Sequence, residues 1–316
     1  MSEEQKPPII VPLGDNEEIV FRHIPAGAFR MGHRGKDPAE EPVTEVFVEE
    51  FWMAETPVTR AQYKIMAGWC MEELVKDEEF KGNEPDEIKT EEDGRRPVTK
   101  VSWDETRVVA RWLTSEMRRQ NKLPEGKVVD LPWEAQWEKA CRAGLEMDYY
   151  SGDGEAALAE VGWFEEDFGG EPFPVKSKPA NEWGLSDCHG SVWQWCRDDW
   201  GKKRGSARLR VSGETEPRER SDEGEAKYRV LRGGSWNDAT WYCRSACRDR
   251  NRPGNRDRDC GFRLAVVPGP SESEAGGPSK EAEPKAEGKP RRDDESVPQA
   301  VGGAELSEVN FPKRNS

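Results

Sequence analysis

The stretch YRVLRGGSWNDATWYCRSACRDRNRPGNRDRDCGFRL, residues 228–264, is the most informative part of the sequence. From Tyr228 to Val267 the chain contains no Glu, Lys or Gln, although both Glu and Lys are abundant elsewhere. Asp257 and Asp259 flank Arg258 and cancel the positive field that a phosphate backbone would require. The three cysteines of the stretch contain no CxxC pair, which disfavours a metal or redox site. The alternation of Asp and Arg therefore favours a surface that binds a protein or small ligand over a nucleic-acid-binding site or a metal centre.

The composition indicates an acidic protein without a nucleic-acid or membrane partner. The chain has 316 residues and a formal net charge of −15, so it repels phosphate backbones and we expect no nucleic-acid partner. No stretch approaches the ~20 apolar residues of a membrane span, and no secretory signal is visible at the N-terminus. The 7 cysteines are scattered, as in proteins that keep free thiols in a reducing compartment. We therefore expect a cytoplasmic protein without a membrane partner.

Three segments divide the chain. Residues 268–316 are rich in Pro, Gly, Ser and charge, and they bury too little apolar surface to offset the entropy of ordering. They predict a disordered C-terminal tail, and residues 1–17 predict a shorter flexible lead. Residues 18–267 predict one continuous domain without an internal linker.

Helix signals are confined to three places in that domain. Thr59 is a suitable N-cap ahead of apolar residues at helical spacing. Ser102 and Glu105 form a capping box ahead of a second apolar stripe. A third helix is predicted in residues 132–144, with a proline in its first turn and a glycine at its end. Short strands and long loops account for the rest, so the sequence predicts an α+β domain that is low in regular secondary structure.

Four blocks of this domain resemble, in order, the formylglycine-generating enzyme or sulfatase-modifying factor family. They are FWMAETPVTRAQY, RPVTKVSWDETRVVARWL, DLPWEAQWEKACRAG, and NEWGLSDCHGSVWQW followed by the stretch quoted above. Together they span essentially the whole of residues 18–267. The resemblance implies a variant of the C-type lectin-like fold, in which the final strands and loops form the functional surface.

A calcium site is one implication of this resemblance. The segment GLSDCHGSVWQW, residues 184–195, packs glycines, tryptophans and oxygen-bearing side chains, as a loop around a cation or a buried water requires. The resemblance places calcium ligands on Asp187, on the backbone of Gly190 and Val192, and on Gln194. The family pattern has Glu where this chain has Gln194, and the missing carboxylate weakens calcium binding. A loop without a metal therefore remains an open alternative.

Copper chemistry is the second implication. Enzymes of the family oxidise a cysteine of a client sulfatase to formylglycine, using two copper-binding cysteines five residues apart. By resemblance these positions fall on Asp238 and Cys243. Copper(I) favours soft thiolates, and an aspartate is a poor substitute for one, so copper and the oxidase activity are disfavoured. Cys243 is expected to be a buried thiol, and it would be catalytic only if the oxidase reading held.

A codon argument favours a different function. Some residues of the final stretch look fixed, namely residues 233–236, 244–246 and 261–263 together with Arg248, Arg250, Asn255 and Arg256. Many members of the family that the stretch resembles carry Asn at the positions interleaved between them. Replacing the adenines of AAC or AAT with any base gives codons that end in C or T. Such codons encode Asp, Tyr, Cys, Asn and Arg but not Lys, Glu, Gln, Met or Trp. The stretch therefore resembles the variable region of proteins that are diversified by adenine-targeted retroelements.

We therefore expect a binding domain whose face lies within residues 236–263 and whose partner is an unknown protein or small ligand. Tyr, Trp and Arg suit such a face because they bury much area or pair in bidentate fashion. Trp236, Gly261 and Phe262 are expected to be buried or conformationally special. Two alternatives stay open, namely the formylglycine oxidase and a constant, non-catalytic scaffold domain. The expected contact residues are Asp238, Trp241, Tyr242, Cys247, Asp249, Asn251, Arg252, Asp257, Arg258, Asp259 and Cys260.

Overall fold

A computed structural model describes residues 6–74, 88–165, 170–201, 209–211 and 228–269, without the side chains of 71–74 and 209–211. The predicted tail therefore lies outside the described residues, apart from Pro268 and Gly269. Within the described parts of the chain, no helix is both long and apolar enough to cross a membrane.

Short strands and long connections dominate the architecture, which confirms the α+β class with little regular structure. The strands are β1 (Ile9–Gly14), β2 (Glu17–Ile24), β3 (Gly27–Met31), β4 (Thr44–Val48), β5 (Phe51–Ala54), β6 (Lys127–Asp130), β7 (Trp193–Asp199), β8 (Leu209–Val211), β9 (Arg229–Arg232), β10 (Arg248–Asn251), β11 (Cys260–Gly261) and β12 (Ala265–Pro268). The helices are α1 (Arg60–Leu74), α2 (Glu91–Gly94), α3 (Trp103–Arg119), α4 (Glu134–Arg142) and α5 (Glu155–Val161). Single 3₁₀ turns occur at Pro38–Glu40 and Thr240–Cys243.

All three predicted helices are present. The hydroxyl of Thr59 accepts a hydrogen bond from the backbone N–H of Gln62 and so caps α1. The predicted capping box of α3 is formed, with Ser102 and Glu105 bonding each other's backbone N–H. α4 ends at a residue in the left-handed conformation, Ala143, one position before the predicted Gly144.

The last strand of the domain, β12, is an inner strand of the five-stranded sheet. This sheet has the order β1-β2-β5-β12-β6, so β12 pairs antiparallel with β5 on one side and β6 on the other. β1 corrects the prediction of a flexible lead at residues 1–17, because Ile9 to Gly14 pair with β2. Val11 and Leu13 of β1 point into the core, and this apolar burial offsets the entropy of ordering the strand.

The final stretch is held by a second sheet, with the order β10-β9-β7-β11. β7 pairs antiparallel with β9 and parallel with the two-residue strand β11. A third sheet has the order β3-β4-β8. The two larger sheets meet in one apolar core, in which Trp195 of β7 and Phe262 after β11 are both fully buried. This core fixes the backbone from which the loops of the final stretch project.

Candidate functional site

Most of the fixed-looking residues of the final stretch are buried and form its framework, and Trp236, Gly261 and Phe262 are buried as predicted. Phe262 is 0% exposed and packs edge-on against Tyr63, and Trp236 is 2% exposed. Gly261 is buried, and a Cβ atom there would lie 2.5 Å from the carbonyl oxygen of Val98, so a larger residue would displace backbone. The framework is therefore set by packing on both sides of β11.

Most framework arginines are buried and ion-paired with glutamates from far earlier in the chain. Arg244 donates two hydrogen bonds to Glu40, at 2.9 and 2.6 Å. Such fork-to-fork pairs fix geometry as well as neutralising both charges. Arg250 departs from the pattern, since it is exposed and lies over the ring of Trp200. The other buried pairs are Arg232 with Glu138, Arg248 with Glu134, and Arg256 with Glu105.

The interleaved positions point outward, with two exceptions. We call the exposed and half-exposed side chains of residues 237–259 the C-terminal face. Trp241 is 57% exposed and Tyr242 is 38% exposed. The other predicted contact residues on this face are exposed or half-exposed, namely Asp238, Asp249, Asn251, Arg252, Asp257, Arg258 and Asp259.

Cys247 and Cys260 are the exceptions, and they correct the predicted contact set. Cys247 is 5% exposed because it lies in a turn in which its N–H donates to the carbonyl of Arg244. Cys260 is 2% exposed because β11 pairs it with Trp193 of β7. Burial raises the pKa of both thiols, so neither is a reactive group on the face.

The C-terminal face has an uneven charge distribution. β10 alternates its side chains, so Arg248 and Arg250 both lie over the ring of Trp200, 4.6 and 5.1 Å from the ring centre. Asn251, on the other side of the strand, donates to the carboxylate of Asp257 at 2.5 Å. Burial and the nearby carboxylate of Asp238 raise the pKa of Asp249. Acidic and basic groups are therefore sorted to opposite sides of one strand.

The loop predicted to hold calcium is closed by protein hydrogen bonds. The side-chain oxygen of Gln194 accepts from Trp137 Nε1 at 2.8 Å and from Arg263 Nε at 2.6 Å. Gln194 Nε2 and Arg263 Nη2 both donate to the carbonyl oxygen of Asp187, at 3.0 and 2.9 Å. The buried guanidinium of Arg263 thus binds the side-chain oxygen of Gln194, one of the predicted ligands, and places a positive charge beside it. The carboxylate of Asp187 accepts from the backbone N–H of Lys176 at 2.9 Å, and burial raises its pKa to about 6. Gly190 and Val192, the other two predicted ligand residues, are buried. These residues do not fit calcium, and calcium binding here stays an untested prediction.

The residues at the copper positions do not fit copper either. Cys243 is 0% exposed, and burial raises the pKa of its thiol. One oxygen of the Asp238 carboxylate is bound by the backbone N–H of Ser235 at 3.0 Å and by its hydroxyl at 2.5 Å. Copper(I) requires soft thiolate ligands, and this pair offers a protonated thiol and a hydrogen-bonded carboxylate. No catalytic step through a metal follows from this arrangement.

Two features of the site were not foreseen from the sequence. Trp193 joins the two ends of the face, because its ring contacts Tyr242 edge-on and its backbone N–H donates to the backbone carbonyl of Asp259. The glutamate partners of the framework arginines were also missed. Two of them, Glu105 and Glu134, lie in the first turns of α3 and α4, where on sequence alone they serve equally well as helix-terminal charges. Glu40 and Glu138 carried no such signal.

Comparison with known proteins places this geometry in a family. The family model described as sulfatase-modifying factor enzyme 1-like domain matches residues 12–267. The serine/threonine-protein kinase pkn1 of Chlamydia caviae is 30% identical over 270 residues, which is 78% of this chain but only 38% of that protein. The formylglycine-generating enzyme of Bos taurus is 27% identical over 287 residues, covering 77% of this chain and 73% of the enzyme. Among solved structures, Treponema denticola variable protein 1 has a TM-score of 0.66 at 24% identity, covering 83% of this chain and 100% of that one.

Proposed function

Because the chain belongs to the family of sulfatase-modifying factor enzyme 1-like domains, we propose that it is a binding protein that uses this scaffold to present a variable face. The face is the C-terminal face, residues 237–259, and retroelement diversification is the source of its variation. Its ligand is a protein or a small molecule that contacts the interleaved side chains.

One observation carries this proposal, which is the match between residue type and burial along the final stretch. Framework residues such as Trp236, Arg244 and Phe262 are buried and bonded to distant parts of the fold. Asp238, Tyr242 and their interleaved neighbours are half-exposed or exposed. A surface that changes without unfolding the domain requires this separation, because exposed substitutions cost little stability and core substitutions cost much.

The chemistry of the face also suits binding. Trp241 and Tyr242 lie side by side with ring centres 5.4 Å apart, and both are exposed. Aromatic side chains of this kind bury a large area with few rotatable bonds, and they are enriched among the residues that dominate interface energies. The fold similarity to a protein named a variable protein supports the same function.

The formylglycine oxidase is the main alternative, and it draws support only from the enzymes among the relatives. Asp238 occupies one copper position and the buried Cys243 the other, so the donor set argues against it. A constant scaffold domain, with no variation at the face, is the second alternative. Fixed ion pairs of the buried arginines would account for Arg in place of Lys in a constant domain, but they do not account for the absence of Glu at the exposed acidic positions between Tyr228 and Val267.

The encoding DNA tests the proposal before any protein is made. The locus is expected to contain a reverse-transcriptase gene and a near-identical repeat of the final stretch that differs only at adenines. That repeat is expected to encode Asn where this chain has Asp238, Tyr242 and Asp257. Sister copies of the gene should then differ at those codons and agree at Trp236 and Phe262. A locus without such a repeat, or copies that vary equally at both sets, would contradict retroelement diversification.

A further inference from the structure

Three carboxylates of the C-terminal face, those of Asp238, Asp257 and Asp259, lie near one another. The carboxylate oxygens of Asp257 and Asp259 and the Cys260 sulfur lie within 4.8 Å of one another. Within the described residues, neither these two carboxylates nor that of Asp238 has an ion-pair partner. The buried glutamates of the framework, by contrast, are paired with arginines. These aspartates are therefore left without the neutralisation that the rest of the fold provides.

Nearby arginines are occupied elsewhere. Arg258 lies between two of these aspartates in sequence, but its guanidinium is 5.3 Å from the ring centre of Trp236. Arg250 and Arg252 lie over the ring of Tyr228, at 5.3 and 6.0 Å from its centre. Cation–π contacts of this kind hold Arg250 and Arg252 at the basic side of β10 and Arg258 against Trp236. The acidic side of the face is thus open to a cation from outside.

The three carboxylates repel one another because they lie close together in a half-buried setting. Burial raises the pKa of Asp259, and the carboxylates of Asp238 and Asp257 raise it further. Two like charges that repel in a half-buried setting are stabilised when an opposite charge binds between them. The geometry therefore favours a positively charged ligand group at this position.

Exposed aromatic rings adjoin the carboxylates. The buried Trp193 lies between the carboxylates and the rings, since its backbone N–H donates to the backbone carbonyl of Asp259 while its own ring contacts Tyr242. Trp241 adds an exposed ring next to Tyr242. A lysine or arginine side chain can lie over such rings while its charge pairs with a carboxylate, and the two interactions reinforce each other.

We propose that this acidic and aromatic part of the C-terminal face docks a basic segment of a partner protein through its Lys or Arg side chains. The acidic part consists of Asp238, Asp257 and Asp259, and the aromatic part of Trp241 and Tyr242. The inference rests on the proposed binding function and specifies the chemistry of the partner. Protein is favoured over a small ligand because the exposed and half-exposed acids and rings come from two separate segments, residues 238–242 and 257–259, and so offer several contact groups at once.

Selection from a random library of displayed 12-residue peptides tests this inference on the full chain. In the peptides that the wild type selects, the frequency of Lys and Arg is expected to be at least about twofold that in the unselected library. D238N/D257N/D259N removes three charges at half-exposed or exposed positions and should abolish the excess. D15N/E18Q/E125Q removes three charges from the β1–β2 region and the loop before β6, and it should leave the excess unchanged. Thermal melting of both variants checks that they are folded.

The outcomes separate the inference from the proposed function. Peptides that depend on Tyr242 but show no basic excess would overturn the basic partner while leaving the binding face intact. A basic excess that both triple variants lose equally would also overturn the inference, because the attraction would then come from the overall charge. If calcium or zinc raised the melting temperature of the wild type but not of D238N/D257N/D259N, the carboxylates would be metal ligands instead. Selected peptides indifferent to Tyr242→Ala and to all three aspartates would contradict both proposals.

Discussion

Arg244 and Glu40 form a bidentate ion pair although they are 204 residues apart in the chain. Both side chains are buried, so each charge depends on the other for compensation. The pair ties the turn that carries Trp241 and Tyr242 to the 3₁₀ turn at Pro38–Glu40.

Removal of one partner should be strongly destabilising. Glu40→Ala leaves a buried guanidinium without its counter-charge and is expected to lower the free energy of unfolding by about 3–5 kcal/mol. Asp257→Ala, an acid of the C-terminal face, is expected to change it by less than about 0.5 kcal/mol. Urea unfolding measures both. Equal effects of the two substitutions would show that Arg244 is not part of a framework distinct from the face.

The loop around Gln194 is expected to be indifferent to calcium. The guanidinium of Arg263 already donates to the side-chain oxygen of Gln194 and to the backbone carbonyl of Asp187, and its positive charge repels a cation there. The wild-type melting temperature should therefore be the same in millimolar calcium and in chelator. Gln194→Glu should destabilise the protein in chelator, because a carboxylate oxygen would face the carbonyl of Asp187 in place of the amide donor. A calcium-dependent rise in the wild type that Asp187→Asn removes would instead establish a calcium site.

Formylglycine should not be produced. Purified protein incubated with copper(I) and a peptide carrying a sulfatase motif should leave the peptide cysteine unchanged, as followed by mass spectrometry. The reason is that Asp238 replaces a thiolate and Cys243 is buried with a raised pKa. Conversion above that of a Cys243→Ala control would contradict this and would make Cys243 catalytic.

His189 should contribute to acid lability. It is fully buried, and burial lowers its pKa to about 3, while Nδ1 bonds the carbonyl of Cys243 and Nε2 accepts from Tyr150 N–H. The folded protein holds this imidazole neutral, so its full contribution to the free energy of unfolding is present above the unfolded-state pKa of about 6.5. As pH falls from there toward 3, the unfolded chain binds a proton that the folded protein does not, and the free energy of unfolding drops by up to about 1.4 kcal/mol per pH unit. His189→Asn keeps a donor for Cys243 and should be less stable at pH 7 but less steeply pH-dependent between pH 6 and 4. Parallel slopes for the two proteins in urea unfolding would contradict this contribution.

Local signals in the sequence predicted α1, α3 and α4 but not the shorter helices α2 and α5. The caps at Thr59 and Ser102 and the buried positions of Trp236 and Phe262 follow from residue type and spacing. What could not be predicted depends on pairing between distant segments. Cys260 is buried by the register of β11 against β7, and that register is set by the whole sheet. For the same reason, the sequence did not distinguish Arg244 from the other arginines, because its partner Glu40 is adjacent only in the folded protein.

The separation of a tolerant face from an intolerant framework is the central claim, and single-site saturation of the displayed protein measures it most directly. Protease resistance of each variant reports whether it folds. Most substitutions should be tolerated at the face positions, Asp238, Trp241, Tyr242, Asp249, Asn251, Arg252, Asp257, Arg258 and Asp259. Most should unfold the domain at the framework positions, Arg232, Trp236, Arg244, Ser245, Ala246, Arg248, Gly261, Phe262 and Arg263. If both sets lose folding to the same extent, residues 236–263 are a fixed part of the structure and the account of a variable binding face is contradicted.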